Sequence, residues 1–297
     1  MAEYLTTREI AAYLRLNEKK IYALVARGQL PAARISGKWL FPKHLIDQWV
    51  ERNTIYPTRG LMGAMLDEML IQMGSDDWLL SQVEERYRTV GEIPVVAARV
   101  GSLVGLRALG NGAAHMTAYH VDNSHVRELA AGEQGCYMFH LFTRHMGLMF
   151  DASRGADVTD LGSIAEQGMT MAQRQPGSGT YHLVRELLAE QGIDPDGIKG
   201  VGAFPSHLEL ALAVRNGRAD AGVGIRIAAE LCGLDFLPLR NEPFKLAVPV
   251  EFTSHPQMVR FLDFLLEDLR RVAAEGAAGY DFQDLGKMET TGKDKTE

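Results

Sequence analysis

Two capped helices near the start of the chain constrain its fold more than any other feature of the sequence. Thr6 and Glu9 form a Thr-x-x-Glu capping box, which predicts a helix that begins directly after Thr6. Asn17 is the predicted N-cap of a second helix, and Gly28 is its predicted stop. Because only residues 15–17 connect the two helices, we expect them to cross at a steep angle.

The next residues predict a hairpin and a third helix. Ser36 and Gly37 form a two-residue turn signal between short apolar runs, and a helix that buries Leu45, Ile46 and Trp49 should follow Pro42. The second helix has an apolar face opposite a basic face that fits a DNA major groove. The predicted DNA-contacting residues lie on that basic face and beside the hairpin turn: Lys19, Lys20, Tyr22, Arg27, Arg34 and Lys38. A three-helix bundle with a solvated basic face is the alternative.

Over roughly residues 3–52, this order of elements resembles the winged helix-turn-helix of the excisionase and MerR-like families. The resemblance implies binding to a double-stranded DNA operator. Because these families include activators, repressors and recombination factors, it does not indicate which regulatory effect follows.

Charge and composition limit where DNA can bind. Residues 1–60 carry ten Lys or Arg and five Asp or Glu, a net charge of +5, whereas the remaining 237 residues carry −12. A negative field repels phosphate, so we expect DNA contact only in the N-terminal module. The sequence has no transmembrane run or apolar signal segment, which predicts a cytoplasmic protein. Cys136 and Cys232 have no zinc or disulfide spacing, and the five-residue spacings from His120 to His125 and from His140 to His145 do not resemble a zinc site. No metal cation is therefore predicted, and no cofactor is expected.

Strand-like and helix-like segments alternate beyond the first module, which predicts an α/β domain with a mostly parallel sheet. Asn111-Gly112 and Asn216-Gly217 each predict a helix stop before a strand, and this repeat indicates two lobes. The predicted organisation has four parts: a DNA-binding domain at 1–55, a linker at 56–65, a ligand-binding domain at 66–285 and a disordered tail at 286–297.

Four predicted strand-to-helix loops each carry a hydroxyl side chain, at Ser75, Ser102, Ser178 and Ser206. Backbone N–H groups at a helix N-terminus lack partners and the helix dipole is positive there, so such loops can hold an anion. Taken singly, each serine is also explained as an ordinary N-cap. Arg174 lies four residues before Ser178 and would add a charge-assisted hydrogen bond.

Several of these segments are similar to the two-lobed, type II periplasmic-binding-protein-like domain, over about residues 66–264. They are Gly101-Ser102, the Arg-x-x-x-Ser-Gly-Thr loop at 174–180, and residues 216–220 followed by Gly222. The resemblance is strongest to the branch that binds molybdate and tungstate. It implies a cytoplasmic transcriptional regulator with an interlobe site for either oxyanion. The residues implied to line that site are Ser75, Ser102, Arg174, Ser178, Gly179, Thr180 and, more weakly, Ser206.

Other interpretations of the second domain stay open. In one alternative, the second domain senses an organic ligand such as a molybdenum-cofactor precursor, with Tyr119 and His120 at the cleft mouth. In the other, the second domain is a non-sensing scaffold of a DNA-architectural or excisionase-type factor. No Gly-x-Ser-x-Gly elbow or P-loop is present, so no enzymatic activity is predicted. We expect a homodimer, because it would present two DNA-binding modules to operator half-sites about one helical turn or a multiple apart. Its candidate contacts, which would equally pack on their own domain, are Leu61, Met62, Met65, Leu66 and Met69.

Overall fold

The computed structural model describes residues 4–52, 63, 65–91, 93–130, 135–155 and 157–291. The chain divides into two compact units, Met1–Gly60 and Leu61–Glu297. Apart from residues 63 and 65, the predicted linker at 56–65 lies outside the described residues.

The N-terminal unit combines three helices with a three-stranded antiparallel sheet of order β1-β3-β2. Its elements are β1 (Tyr4–Thr6), α1 (Thr7–Tyr13), α2 (Glu18–Ala26), β2 (Ala33–Ile35), β3 (Lys38–Pro42) and α3 (Lys43–Arg52). Both predicted caps are confirmed: the Thr6 N–H donates to Glu9 Oε2 at 2.7 Å, and the Lys20 N–H donates to Asn17 Oδ1 at 2.8 Å. Ser36 and Gly37 have φ angles of 50° and 80°, the left-handed pair that a two-residue hairpin turn requires.

Two details of this unit differ from the sequence-based prediction. Strand β1 was not expected, because three residues carry too little periodicity to indicate a strand. Leu45 was expected in the core but is 37% exposed. The helical period places Ile46 and Trp49 on one face of α3, with Ile46 fully buried, and turns Leu45 away from it.

The C-terminal unit has two lobes joined by two long antiparallel strands. Lobe 1 contains β4 (Leu70–Gly74), α4 (Trp78–Val90), β5 (Val95–Arg99), α5 (Ser102–Gly110), β6 (Thr117–Tyr119) and α6 (Asn123–Leu129). The first joining strand is β7 (Cys136–Phe150). Lobe 2 contains a 3-10 turn (Ala152–Arg154), α7 (Leu161–Glu166), β8 (Met171–Arg174), α8 (Gly179–Glu190), a second 3-10 turn (Pro195–Gly197), β9 (Gly200–Phe204), α9 (His207–Arg215), β10 (Ala221–Ile225) and α10 (Arg226–Cys232). The second joining strand is β11 (Asp235–Pro249), and the chain returns to lobe 1 with α11 (Val250–Thr253), α12 (Pro256–Glu275), β12 (Tyr280–Asp281) and β13 (Met288–Thr290).

The joining strands make the sheet mixed rather than mostly parallel as predicted. The main sheet has the order β6-β11-β7-β10-β8-β9, and β4 pairs in parallel with β5. Strands β7 and β11 pair from one lobe to the other, with register shifts between Pro238 and Arg240 and between Phe244 and Lys245. Each lobe has its own buried core, and both depend on these strands: Leu148 belongs to the core of lobe 2 and Phe142 to that of lobe 1.

The internal repeat predicted from the two Asn-Gly pairs is confirmed. Asn111 and Asn216 are the C-caps of α5 and α9, and the glycine after each has a positive φ angle. The repeat extends to hydrogen bonding at the following strand. His115 Nδ1 accepts the Ile71 N–H at 2.9 Å, and the Asp220 carboxylate accepts the Thr170 N–H at 2.7 Å. His115 and Asp220 occupy the same place in the repeat, four residues after Asn111 and Asn216, and each accepts a backbone N–H from a neighbouring segment.

The end of the chain is more ordered than predicted. Strand β13 pairs with β7, and Glu289 accepts a 2.9 Å bond from Lys245 Nζ, so the expected disorder from 286 is wrong through Thr291. Residues 292–297 lie outside the described residues. Among the candidate dimer contacts, Leu66 is fully buried in the core of lobe 1 and Met65 packs against it, whereas Leu61 and Met62 are not described. Within the described residues, no helix combines the length and apolar character needed to cross a bilayer.

Candidate ligand-binding cleft and DNA-binding face

The two lobes meet at a small polar cavity of about 10 Å³, which has room for about one water molecule. The cavity lies where helices α5, α8 and α9 begin. It is lined by Ser75, Asp76, Gly101, His120, Arg144, Arg174, Ser178, Gly179, Thr180 and His207.

Most of the predicted ligand-binding residues come together here. Ser75 Oγ and Ser102 Oγ are 2.7 Å apart, and Ser102 Oγ accepts the His120 N–H at 3.2 Å. Across the cavity, Ser178 caps α8 by accepting the Tyr181 N–H at 3.2 Å, and Gly179 and Thr180 are the first residues of that helix. The N-cap of α5 is Gly101, which lines the cavity, so the first N–H groups of this helix have no capping side chain as an acceptor.

Three expectations about this region are wrong in detail. Ser206 caps α9 and lines a separate cavity of about 170 Å³ rather than the polar one. Ser75 does not start α4, because Asp77 accepts the N–H groups of Leu79 and Leu80 and is the N-cap. Tyr119, which the organic-ligand interpretation placed at the cleft mouth, is fully buried.

Arg144 is a central buried charge that the sequence did not reveal. Its Nε and Nη2 bind Glu242 Oε2 at 2.8 and 2.7 Å, and its Nη1 binds Asp77 Oδ2 at 3.1 Å and the Asp76 carbonyl oxygen at 2.8 Å. All three guanidinium nitrogens of Arg144 already have acceptors in the protein. Arg144 therefore connects the joining strands to lobe 1. Arg144 lies in the middle of β7 and belongs to no sequence motif that would indicate its role.

Arg174 is placed differently, with one nitrogen directed toward the cavity residues. Its Nε and Nη2 donate to the carbonyl oxygens of Phe204 and Pro205, at 3.1 and 2.8 Å. Its Nη1 lies 3.7 Å from Asp76 Oδ2, beyond hydrogen-bond distance. Burial lowers the pKa of Arg174 to about 10, so the guanidinium is still charged at neutral pH.

Glu242 and His120 connect the cavity to the joining strands. His120 Nδ1 lies 2.7 Å from Glu242 Oε1, and the His120 ring stacks on Phe244 with an interplanar angle of 8°. Burial acts to raise the pKa of Glu242, but His120 and Arg144 outweigh it and lower that pKa to about 2. The site therefore holds a permanently ionised carboxylate at neutral pH.

His207 contributes a neutral ring. Burial lowers the pKa of His207 well below its usual value, and the nearby guanidinium groups of Arg174 and Arg144 lower it further. Its backbone N–H, the first of α9, donates to Asp76 Oδ2 at 3.1 Å.

A larger groove of about 530 Å³ adjoins the polar cavity and shares His120 and Gly179 with it. This volume lies in the range of pockets that bind organic molecules. The titratable side chains that line the groove are His120, Asp122, His125, His182, Glu186, Arg240 and Glu242.

In the N-terminal unit, all six predicted DNA-contacting side chains are exposed: Lys19, Lys20, Tyr22, Arg27, Arg34 and Lys38. The Arg34 guanidinium lies 5.6 Å from the centre of the Trp39 ring, which supports the hairpin. A hydrogen bond of 2.7 Å from the Tyr13 hydroxyl to Asp47 connects α1 to α3.

These two units correspond to two known classes of domain. Residues 83–266 match the PBP superfamily domain, and residues 4–54 match a helix-turn-helix domain. The chain belongs to the PBP superfamily, and it joins a DNA-binding module to a periplasmic-binding-protein-like ligand-binding domain.

Several known proteins are similar to most of this chain. The uncharacterized protein YvgK of Bacillus subtilis (strain 168) is 24% identical over 267 residues, covering 82% of this chain and 84% of its own. The tungstate ABC transporter structure from Geobacter sulfurreducens aligns with a TM-score of 0.53 and 16% identity, over 70% of this chain and 99% of that one. The structure of the CcmR regulatory domain of Synechocystis PCC6803, in complex with 2-PG, aligns with a TM-score of 0.52 and 12% identity, over 68% of this chain and 97% of that one. At these identities the solved structures establish the fold alone.

Proposed function

We propose that this chain is a ligand-responsive transcriptional regulator whose interlobe cleft binds a tetrahedral oxyanion, tungstate or molybdate. The observation that carries the proposal is the convergence of two helix N-termini on one cavity. Helix α5 begins at one wall, where its N-cap Gly101 lines the cavity and Ser102 is hydrogen-bonded to the lining residue Ser75. Helix α8 begins at the other wall, which Ser178 and Thr180 line. Helix N-termini with hydroxyl donors are anion-binding structures.

The donor set favours an anion that is fully ionised near pH 7. The hydroxyls and backbone N–H groups donate hydrogen bonds, and Arg174 adds a positive charge. Molybdate and tungstate accept all such bonds, whereas phosphate keeps a proton that would face a donor. Sulfate is also fully ionised, so only the size of the opened cleft would exclude it.

Ligand entry requires the lobes to separate, because a cavity of about 10 Å³ holds no oxyanion. The register shifts between β7 and β11 lie where these strands pass from lobe to lobe and provide a place to bend. An oxyanion changes DNA affinity only if it binds the open and closed arrangements differently. In a cytoplasmic homodimer this difference would change the spacing of two DNA-binding modules relative to the operator half-sites.

A second candidate ligand is favoured by the groove of about 530 Å³ beside the polar cavity. An organic molecule with an anionic group, such as a molybdenum-cofactor precursor, would place that group in the cavity and its body against His120 in the groove. Tyr119 has no part in this candidate because it is buried.

Thermal unfolding of the full chain with tungstate, molybdate, sulfate and phosphate tests the proposal. We expect tungstate and molybdate to raise the melting temperature of the wild type, and the double substitution Ser102→Ala and Ser178→Ala to abolish the rise. Ser206→Ala is the matched control, because it removes a helix cap outside the polar cavity. An unchanged rise in the double variant would refute the site. Absence of any rise in the wild type would favour the organic ligand or a non-sensing scaffold.

DNA binding supplies the second readout. Fluorescence anisotropy with operator DNA selected from the genome should give the same affinity for the ligand-free wild type and the double serine variant. Tungstate should change the affinity of the wild type alone. An equal change in both proteins would show that the effect does not arise in this cleft.

A further inference from the structure

We infer that the carboxylate of Asp76 is an internal anion that occupies part of the ligand site and must be displaced before an external anion binds. The inference rests on the proposed function in that it assigns the same cavity to the ligand. It makes Asp76 a specificity-determining residue, since only anions that bind the cleft better than the tethered carboxylate would enter.

Asp76 belongs to lobe 1 but its carboxylate contacts lobe 2. It lies in the loop between β4 and α4, where Arg144 Nη1 fixes its carbonyl oxygen at 2.8 Å. From there Asp76 Oδ2 accepts the His207 N–H at 3.1 Å and lies 3.7 Å from Arg174 Nη1. The side chain is only 13% exposed. One carboxylate thus connects the two lobes at the cavity.

The partners of this carboxylate are those that an anionic ligand would use. His207 is the first residue of α9, a helix of nine residues, and its N–H lies at the positive end of the helix dipole. Arg174 is the guanidinium with a nitrogen directed toward the cavity residues. A bound anion and the Asp76 carboxylate would compete for both groups.

The cleft does not hold both anions together, because the cavity has room for about one water molecule and like charges about 4 Å apart repel strongly in a protein interior. Binding therefore exchanges one anion for another: the Asp76 carboxylate leaves lobe 2 as the ligand enters. The lobes of the ligand-free protein are held together by this carboxylate, and the ligand replaces it as the connecting group.

Calorimetric titration of the full chain with tungstate tests the exchange. Asp76→Asn keeps the shape of the side chain and removes its charge, so we expect tungstate to bind at least about tenfold more tightly than to the wild type. Asp263→Asn is the matched control, because it removes one exposed carboxylate from lobe 1 and should leave the affinity unchanged. Unchanged or weaker binding by the Asp76→Asn variant would overturn the inference, weaker binding by showing that the carboxylate helps to hold the ligand.

Hydrogen exchange of the ligand-free protein gives a readout that does not depend on tungstate. Asp76→Ala removes the acceptor, so the His207 amide should exchange at least about tenfold faster while amides in the N-terminal unit keep their rates. An unchanged His207 rate would overturn the inference. If neither the wild type nor the Asp76→Asn variant binds any oxyanion, the proposed function fails, and the exchange rate alone decides whether Asp76 joins the lobes.

Discussion

Gly179→Ala is the substitution whose effect follows most directly from the geometry of the cleft. A Cβ added at Gly179 would lie 2.0 Å from His120 Cε1, whereas ordinary contacts begin at 3.4 Å, so the ring must move by about 1.4 Å. We expect a displacement of this size to break the 2.7 Å contact between His120 Nδ1 and Glu242 Oε1. Gly179 does not have a positive φ angle, so alanine introduces no backbone strain there.

The lost contact determines the expected magnitude. A hydrogen bond to a charged group contributes about 1.5–3 kcal/mol, and 1 kcal/mol shifts the melting temperature of a unit this large by roughly 2–4 °C. We therefore expect Gly179→Ala to lower the melting temperature by roughly 3–12 °C. Because Gly179 and His120 lie on opposite lobes, the substitution should also weaken tungstate binding, measured by calorimetry.

Gly197→Ala is the matched control for this experiment. Gly197 also lies in lobe 2 without a positive φ angle, and its added Cβ would have no neighbour closer than 3.9 Å. This control should keep the melting temperature and the tungstate affinity of the wild type. If Gly179→Ala behaved like Gly197→Ala in both measurements, the packing of His120 against α8 would have no role in the cleft.

Three further predictions concern the DNA-binding face, the hairpin and pH. Lys38→Ala should weaken binding to all DNA sequences alike and reduce the slope of log affinity against log salt by about one, as measured by anisotropy; a sequence-dependent loss would contradict a phosphate contact. Gly37→Ala should destabilise the N-terminal unit by about 1 kcal/mol in urea unfolding, because the φ angle of 80° disfavours alanine although its Cβ has no neighbour within 4 Å; no loss would refute the turn geometry. The pKa of Glu242 is about 2, below its usual 4.5, so its stabilising effect is complete above about pH 4.5 and is lost as pH falls toward 2. That loss is on the order of 3 kcal/mol, and urea unfolding from pH 7 to 3 should show a smaller decline for Glu242→Gln than for the wild type.

Local signals in the sequence were sufficient to predict the three helices and the hairpin of the N-terminal unit and two helix stops of the C-terminal unit. Capping at Thr6 and Asn17, the turn at Ser36 and Gly37, and the Asn-Gly helix stops each depend on neighbouring residues only. The loop at 174–180 was assigned to the site through the family resemblance, and its serine, glycine and threonine line the cavity.

What the sequence did not predict depends on contacts between distant residues. Arg144 and Glu242 are 98 positions apart and meet only because β7 pairs with β11. Asp76 follows the predicted site residue Ser75 directly, but its carboxylate accepts the backbone N–H of His207, which is 131 positions away. The long strand β7 was missed because it buries the polar side chains of His140 and Arg144 among apolar ones, so its sequence lacks the apolar and polar alternation that indicates a strand.

The most direct test of the oxyanion site is a crystal of the full chain grown with saturating tungstate, with anomalous diffraction data collected at a tungsten absorption edge. We predict one strong anomalous peak between the two lobes, within hydrogen-bond reach of Ser102 and Ser178, and an Asp76 carboxylate that has left the His207 N–H. A peak elsewhere on the molecule, or no peak at all, would contradict tungstate as the ligand of this cleft.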